Sequence, residues 1–286
     1  MKKILVTGAN GQLGKEFREL AVSESGLEFL FLTREDLPIH HFDLVRKVFK
    51  SFRPDYCINC AAYTAVDKAE QEKDLAMLVN AEAVGILAAV CQLHATKFIH
   101  FSTDYVFDGL GKEPYKESDH TAPQSVYGLS KKRGEEEAFK YNAESIIIRT
   151  SWVYSMYGNN FVKTMIRLMS EKDSISVVSD QHGTPTWATD LAKAIIQIIH
   201  SGKWISGIFH FSNAGRTTWH EFAVEIKRLI KSNCVIKAIP TSSYPTPAKR
   251  PFYSTLDKTK IVETYSVELV DWRVSLQNCI QKILLA

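Results

Sequence analysis

The 286-residue sequence has no apolar run near the roughly 20 residues that cross a bilayer; its most apolar stretches, such as residues 86–91 and 194–199, fall far short. The opening Lys2-Lys3-Ile4-Leu5-Val6-Thr7-Gly8 holds three consecutive apolar residues, where a secretory leader needs roughly 7–15. Neither export nor a membrane partner is expected. Cysteine is scarce and irregularly spaced: Cys57, Cys60, Cys91, Cys234 and Cys279 are odd in number, which excludes a disulfide framework and suits a reducing cytoplasm. There is little excess charge. Thirty-five Lys and Arg stand against 32 Asp and Glu, and a net charge of +3 argues against a nucleic-acid partner. What is present is 45% hydrophobic and 23% charged side chains, the balance of a globular chain with a large core rather than a disordered or collagen-like one. Its length suits about two domains, or one α/β domain with a smaller appendage.

The hydrophobic pattern alternates between two periods. Lys3 to Thr7 reads as a buried parallel strand ending at Gly8. Leu13, Phe17, Leu20 and Ala21 then share one face of a helix that begins near Gly11. Residues 27–32, 56–61, 97–102 and 145–149 read as further strands. Helices between them are marked by Val45, Val48 and Phe49, by Met77, Ala81, Val84, Ala88 and Cys91, and by Tyr127 with Lys131. Alternation at roughly 25–30 residues predicts an α/β, Rossmann-type doubly wound parallel sheet over residues 1–155. Residues 174–213 are expected to rejoin that sheet, and 156–173 with 214–286 to build a smaller C-terminal α/β substrate lobe. Cys57 and Cys60 form a C-x-x-C inside a strand with no second pair at metal spacing, so packing is expected of them rather than redox or zinc chemistry.

Three clusters carry chemistry. Gly8-Ala9-Asn10-Gly11-Gln12-Leu13-Gly14 lies between the first strand and first helix, where backbone N–H groups approach a pyrophosphate at a helix N-terminus. The ribose-reading position after the second strand is Thr33-Arg34-Glu35-Asp36; Arg34 favours the 2′-phosphate of NADPH, and Glu35 and Asp36 leave NADH open. Asp43 is expected to end a further strand-like stretch near the adenine. Tyr127 and Lys131 are one helical turn apart on one face, an arrangement in which an ammonium favours a phenolate for proton transfer. Ser102-Thr103-Asp104 ends the strand before them, at the carboxyl edge where such sheets bind ligands, and a hydroxyl there can bond a reacting carbonyl oxygen.

These residues, with Asn59-Cys60-Ala61-Ala62, resemble the extended short-chain dehydrogenase/reductase superfamily. The blocks 62–70, 102–109, 149–154 and 245–251 are similar to the dTDP-4-dehydrorhamnose reductase family, and together they span nearly the whole chain. The resemblance implies NADPH-dependent reduction of a 4-keto nucleotide sugar by a Thr103, Tyr127, Lys131 triad. It places Gly11, Gln12 and Leu13 at the pyrophosphate, Asp43, Leu44, Ala62, Tyr63 and Thr64 along the adenine and ribose, and Tyr127 and Lys131 at the nicotinamide ribose. Thr103, Asp104 and Trp152 would face the sugar. Arg250, on a stiff Pro-rich stretch, is assigned to the diphosphate because a guanidinium fork suits phosphate oxygens. Some relatives are dimers bridged by Mg²⁺; Glu16 matches one acidic position but Thr189 stands where a second acid is needed, so no metal is expected, and a homodimer stays open. A 4,6-dehydratase of the superfamily would carry Glu after Thr103-Asp104, and here that position is Tyr105. A sugar-nucleotide epimerase and a noncatalytic nucleotide-binding subunit, of the kind that partners methionine adenosyltransferase, are the other readings; retention of the triad disfavours the noncatalytic one.

Overall fold

The computed structural model describes residues 1–285. Its centre is a six-stranded parallel sheet made of β1 (Lys2–Thr7), β2 (Leu27–Leu32), β3 (Tyr56–Asn59), β4 (Lys97–Thr103), β5 (Ile146–Thr150) and a last strand, Gly207–His210. Side chains of β1 alternate between faces, as a period of two requires. Ile4 and Val6 pack with Ile58, Ile99, Phe17 of α1 (Gln12–Ala21) and the apolar side of helix Ala188–His200. Leu5 faces the other way, with Cys57, Phe98 and Ile147 against α2 (Phe42–Phe52) and α5 (Ala83–Leu93).

Strand order across the sheet is β2, β1, β3, β4, β5 and then 207–210, so the chain reverses direction between β1 and β3. That reversal leaves a crevice at the carboxyl ends of these two strands. No strand forms outside β2. Residues 33–41 make a turn and a loop instead, held by Leu37 N–H to Thr33 C=O at 3.0 Å, and lead straight into α2. Asp43 is therefore not at a strand end, and this corrects the expectation: it lies exposed in the first turn of α2, where its charge suits the helix dipole.

The stretch 174–213 divides. Helix 188–200 and strand 207–210 lie on the main sheet, but Ser174–Val178 pairs in parallel with Val235–Ile239, so that part of the expected return to the sheet is corrected. The reason is packing: Ile175 and Val177 bury with Met165, Phe222, Ile226, Trp272 and Leu276 in a separate core of the second lobe.

Between β3 and β4 the chain runs through α3 (Val66–Ala69), α4 (Lys73–Met77), a π-helical turn (Leu78–Glu82) and α5. The continuous stretch Lys73–Leu93 is long and apolar enough by composition to cross a membrane, yet 56% of its most apolar window is buried inside the fold. The π turn interrupts what the sequence presents as one regular helix, and such turns often mark functional sites.

Candidate active site

The glycine turn is built by close approach. Gly8 sits at φ +64°, and a Cβ there would stand 2.5 Å from the Ala61 backbone nitrogen, directly across the β1/β3 crevice. A Cβ on Gly14 would stand 2.5 Å from the Gly8 carbonyl oxygen, so α1 rests its first turn on the loop only because that position is bare. Gly11 caps α1 with no side chain bonded to the free N–H groups and no acid in the first turn, which leaves them open to an anion. Beside them lies a cleft of about 350 Å³ lined by Gly8, Gly11, Arg34, Glu35, Leu37, Pro38, Ile39, His40, Cys60, Ala61, Ala62 and Tyr63, among others. Bare glycines, open N–H groups and an apolar slot with one cation at its mouth fit a dinucleotide.

The expected cofactor residues divide in this geometry. Arg34 is at the cleft and makes no salt bridge within the described residues, whereas Asp36 is turned away to accept from Thr33 Oγ1 at 2.8 Å and Thr33 N–H at 2.9 Å. Those two bonds, both to Oδ2, hold the Asp36 carboxyl below its usual range and commit that oxygen to the turn. Thr33 is likewise occupied by the turn. Ala62 and Tyr63 line the cleft; Thr64 and Leu44 are exposed and outside it, with Leu37, Pro38 and Ile39 forming the wall expected of Asp43 and Leu44. Cys60 lines the cleft and also packs against the main core, Cys57 is buried, and all five cysteines are free thiols. Gln12 Oε1 accepts from Asn160 at 2.8 Å and so ties α1 to the second lobe. Leu13 packs against the main core.

Helix α6 (Val126–Tyr141) brings Tyr127 and Lys131 beside the end of β4. Two glycines let it come close: a Cβ on Gly128 would stand 2.2 Å from the Tyr105 carbonyl oxygen, and one on Gly134 would stand 2.1 Å from that of Asn80. Thr103 is buried and donates to Asp104 Oδ1 at 2.9 Å; the other Asp104 oxygen has no partner. Burial pushes the Asp104 carboxyl up to about 6, against the pull of nearby hydroxyls. Tyr127 is raised well above its ordinary value by burial, with the Thr103 hydroxyl pulling the other way and the Asp104 charge adding to the rise. Burial pushes the Lys131 amine down to about 7, against the opposing pull of Glu135, which forms a buried pair with Arg149 at 2.7 Å. Lys131 Nζ lies 3.2 Å from His100 Nε2. Tyr105 packs edge-on against the Tyr127 ring, at 5.6 Å between centroids.

Several neighbours escaped the sequence reading. Asn80, in the π turn, accepts from Tyr63 N–H at 2.8 Å and donates to Tyr63 C=O at 2.9 Å and Ser130 at 3.0 Å, pinning the cleft wall to α6. Only the position of an Asn between Val79 and Ala81 signals it. Trp152 has φ +47°, a strained region for a bulky residue, and its ring stacks on Trp219 at 3.5 Å between centroids and 9° between planes. Gly183 makes room for it, since a Cβ there would stand 2.6 Å from the indole. Arg250 is engaged rather than free: Nη2 pairs with Asp67 at 2.6 Å and Nη1 donates to Tyr105 Oη at 3.1 Å, anchoring the Pro-rich strap to the sheet domain. Glu16 accepts from Ser155 and from Thr189, both at 2.6 Å, so hydroxyls fill the positions around it. No group of three or more His, Cys, Asp or Glu that could hold a metal occurs among the described residues.

A wider basin of about 540 Å³ opens at the opposite edge of the sheet, lined by Lys2, Lys50, Arg53 and Lys97, far from the triad. In parallel sheets the chemistry sits at the carboxyl edge, and that is where the glycine turn, Thr103, Tyr127 and Lys131 lie.

Residues 1–285 match the family model described as RmlD substrate binding domain. A dTDP-4-dehydrorhamnose reductase of Aggregatibacter actinomycetemcomitans is 42% identical over 97% of this chain and 98% of its own. The crystal structure of a dTDP-4-dehydrorhamnose reductase from Clostridium acetobutylicum superposes with a TM-score of 0.94 at 41% identity, covering 99% of both chains. That of a dTDP-4-dehydrorhamnose reductase from Bacillus anthracis, in complex with NADP, gives 0.93 at 38% identity over 99% of this chain and 100% of its own. Taken with the glycine cradle and the Thr103, Tyr127, Lys131 cluster, these likenesses over the full length mean that the chain belongs to the dTDP-4-dehydrorhamnose reductase family.

Proposed function

We propose that this chain reduces the 4-keto group of dTDP-4-dehydro-L-rhamnose with NADPH to give dTDP-L-rhamnose, the last step of that nucleotide sugar's synthesis. The observation that carries this reading is the meeting of Thr103 with Tyr127 and Lys131 at the carboxyl edge, beside a cradle open to a pyrophosphate. Gly8, Gly11, Gln12, Leu13 and Ala62 to Tyr63 would hold the cofactor, with Arg34 toward a 2′-phosphate and Tyr127 and Lys131 toward the nicotinamide ribose. NADPH, when bound, supplies the hydride.

The chain's own residues manage the proton. Tyr127 Oη donates its proton to the carbonyl oxygen as negative charge develops there, and Lys131 in its charged form stabilises the phenolate left behind. Thr103 donates a hydrogen bond to the same oxygen. Its hydroxyl is committed to Asp104 in the free protein, so Asp104, with its raised carboxyl, frees Thr103 when it carries a proton. Trp152, braced by Trp219, forms a platform for the sugar, and Arg250 reaches the diphosphate by exchanging Asp67 for phosphate oxygens. The same reading places the protein in the cytoplasm, in keeping with its free thiols.

The test is oxidation of NADPH, and separately NADH, by purified protein with and without freshly made dTDP-4-dehydrorhamnose. Sugar-dependent oxidation of NADPH that yields dTDP-L-rhamnose is expected. Tight NADPH binding with no turnover would overturn the reading in favour of a noncatalytic nucleotide-binding subunit.

A further inference from the structure

Beneath the triad a line of polar side chains crosses the sheet from β1 to α6. Thr7 Oγ1 donates to Asn59 Oδ1 at 2.7 Å, Asn59 Nδ2 meets His100 Nδ1 at 3.0 Å, and His100 Nε2 meets Lys131 Nζ at 3.2 Å. All four residues are buried, so each contact must match a donor to an acceptor. The polarity of the line is set at one end. The Ala61 backbone N–H, which can only donate, bonds Asn59 Oδ1 at 3.2 Å, and this fixes which side of the Asn59 amide is oxygen. Asn59 Nδ2 then faces His100 with a proton, so Nδ1 of His100 must accept. A neutral imidazole that accepts at Nδ1 carries its proton on Nε2, and that proton points at Lys131.

An ammonium has no lone pair to receive it. We propose that His100 is a positioning residue for the catalytic lysine: in the cofactor-free protein it donates from Nε2 to Lys131 Nζ and thereby holds Lys131 as an uncharged amine. The charged and titratable groups facing Lys131 agree with this. His100 comes from β4, Tyr127 lies one turn before it on α6, and Glu135, one turn after, is neutralised by Arg149 from β5. The π turn packed on α6 brings Asn80 to Ser130, the residue before Lys131, and both are uncharged. Burial of the amine acts in the same direction. A doubly protonated His100 would break its bond from Asn59, and burial disfavours that form as well. Lys131 must therefore take up a proton, and turn from His100, before it can stabilise the Tyr127 phenolate.

The inference rests on Lys131 being the lysine of the proposed reaction, but its test reads the free protein, so a failed turnover assay and a failed test are distinguishable. Full-length protein carrying ¹⁵N-histidine and ¹³Cε-lysine is titrated by NMR, with Lys131→Met assigning the lysine signal. The expected result is the Nε2–H tautomer at His100 and a Lys131 midpoint below those of the other lysines. Asn59→Asp is nearly isosteric and puts an acceptor against Nδ1. It should move the His100 proton to Nδ1, turn Nε2 into an acceptor, and raise the Lys131 midpoint by about one unit or more. His100→Phe removes the donor and should raise the midpoint without adding a charge. A Nδ1–H tautomer in the unmodified protein would overturn the proposal, and so would a Lys131 midpoint unmoved in both variants, which would leave burial alone in charge of it.

Discussion

Lys131 makes the stability of this protein depend on pH in a direction opposite to that of a salt-bridged lysine. The folded protein holds the amine near 7, below its ordinary 10.5, chiefly because it is buried. Between those values the unfolded chain binds the proton and the folded chain does not, so raising the pH favours folding. Below about 7 both forms are protonated, and the cost of the buried charge is then fully present. At 1.36 kcal/mol per unit, the gap between 10.5 and about 7 caps the effect at ~5 kcal/mol. The perturbation is Lys131→Met, which keeps an unbranched side chain in the same space and removes the titration. Urea unfolding of both proteins at several pH values from 7 to 10 isolates the term, because every other titrating group is common to the pair. Lys131→Met should be the more stable protein near pH 7, with its advantage shrinking by several kcal/mol toward pH 10. Parallel stability curves over that range would refute the reasoning, since they would mean that Lys131 keeps an ordinary affinity for its proton in the fold.

Three other outcomes test the site. Tyr127→Phe removes the proton donor and leaves the cleft wall in place, so kcat should fall about 10²–10⁴-fold while NADPH affinity, read by fluorescence titration, changes little. Arg34→Ala removes the cation at the mouth of the cleft; NADPH should bind about tenfold more weakly, a loss of about 1.4 kcal/mol, with NADH nearly unaffected. Gly14→Ala forces a Cβ against the Gly8 carbonyl and the Ala9 backbone, neither of which can give way without moving β1. Thermal denaturation should show a loss of about 1–3 kcal/mol or more.

The sequence determined by itself whatever depends on local period and local chemistry. A period of two followed by a period of 3.6, repeated, is enough to specify a doubly wound sheet, because each apolar face can be covered in few ways. The glycine turn and the Tyr127 to Lys131 spacing are contiguous signals, each readable within a single helical turn or loop. The tertiary structure decided what depends on groups far apart in the chain. Asp43 missed the cleft because the residues after β2 close a turn on Thr33 and Asp36 instead of forming a strand. Residues 174–178 carry the same apolar alternation as a sheet strand, and only the side chains of 165, 222 and 226 place them in the second lobe. Arg250 met Asp67 across 183 residues, and Trp152 met Trp219 across a lobe boundary. His100 is the sharpest case. In the sequence it is a polar residue between Ile99 and Phe101, and its proton acquires a direction only when β1, β3, β4 and α6 bring Thr7, Asn59 and Lys131 into one buried line, where each donor must find an acceptor.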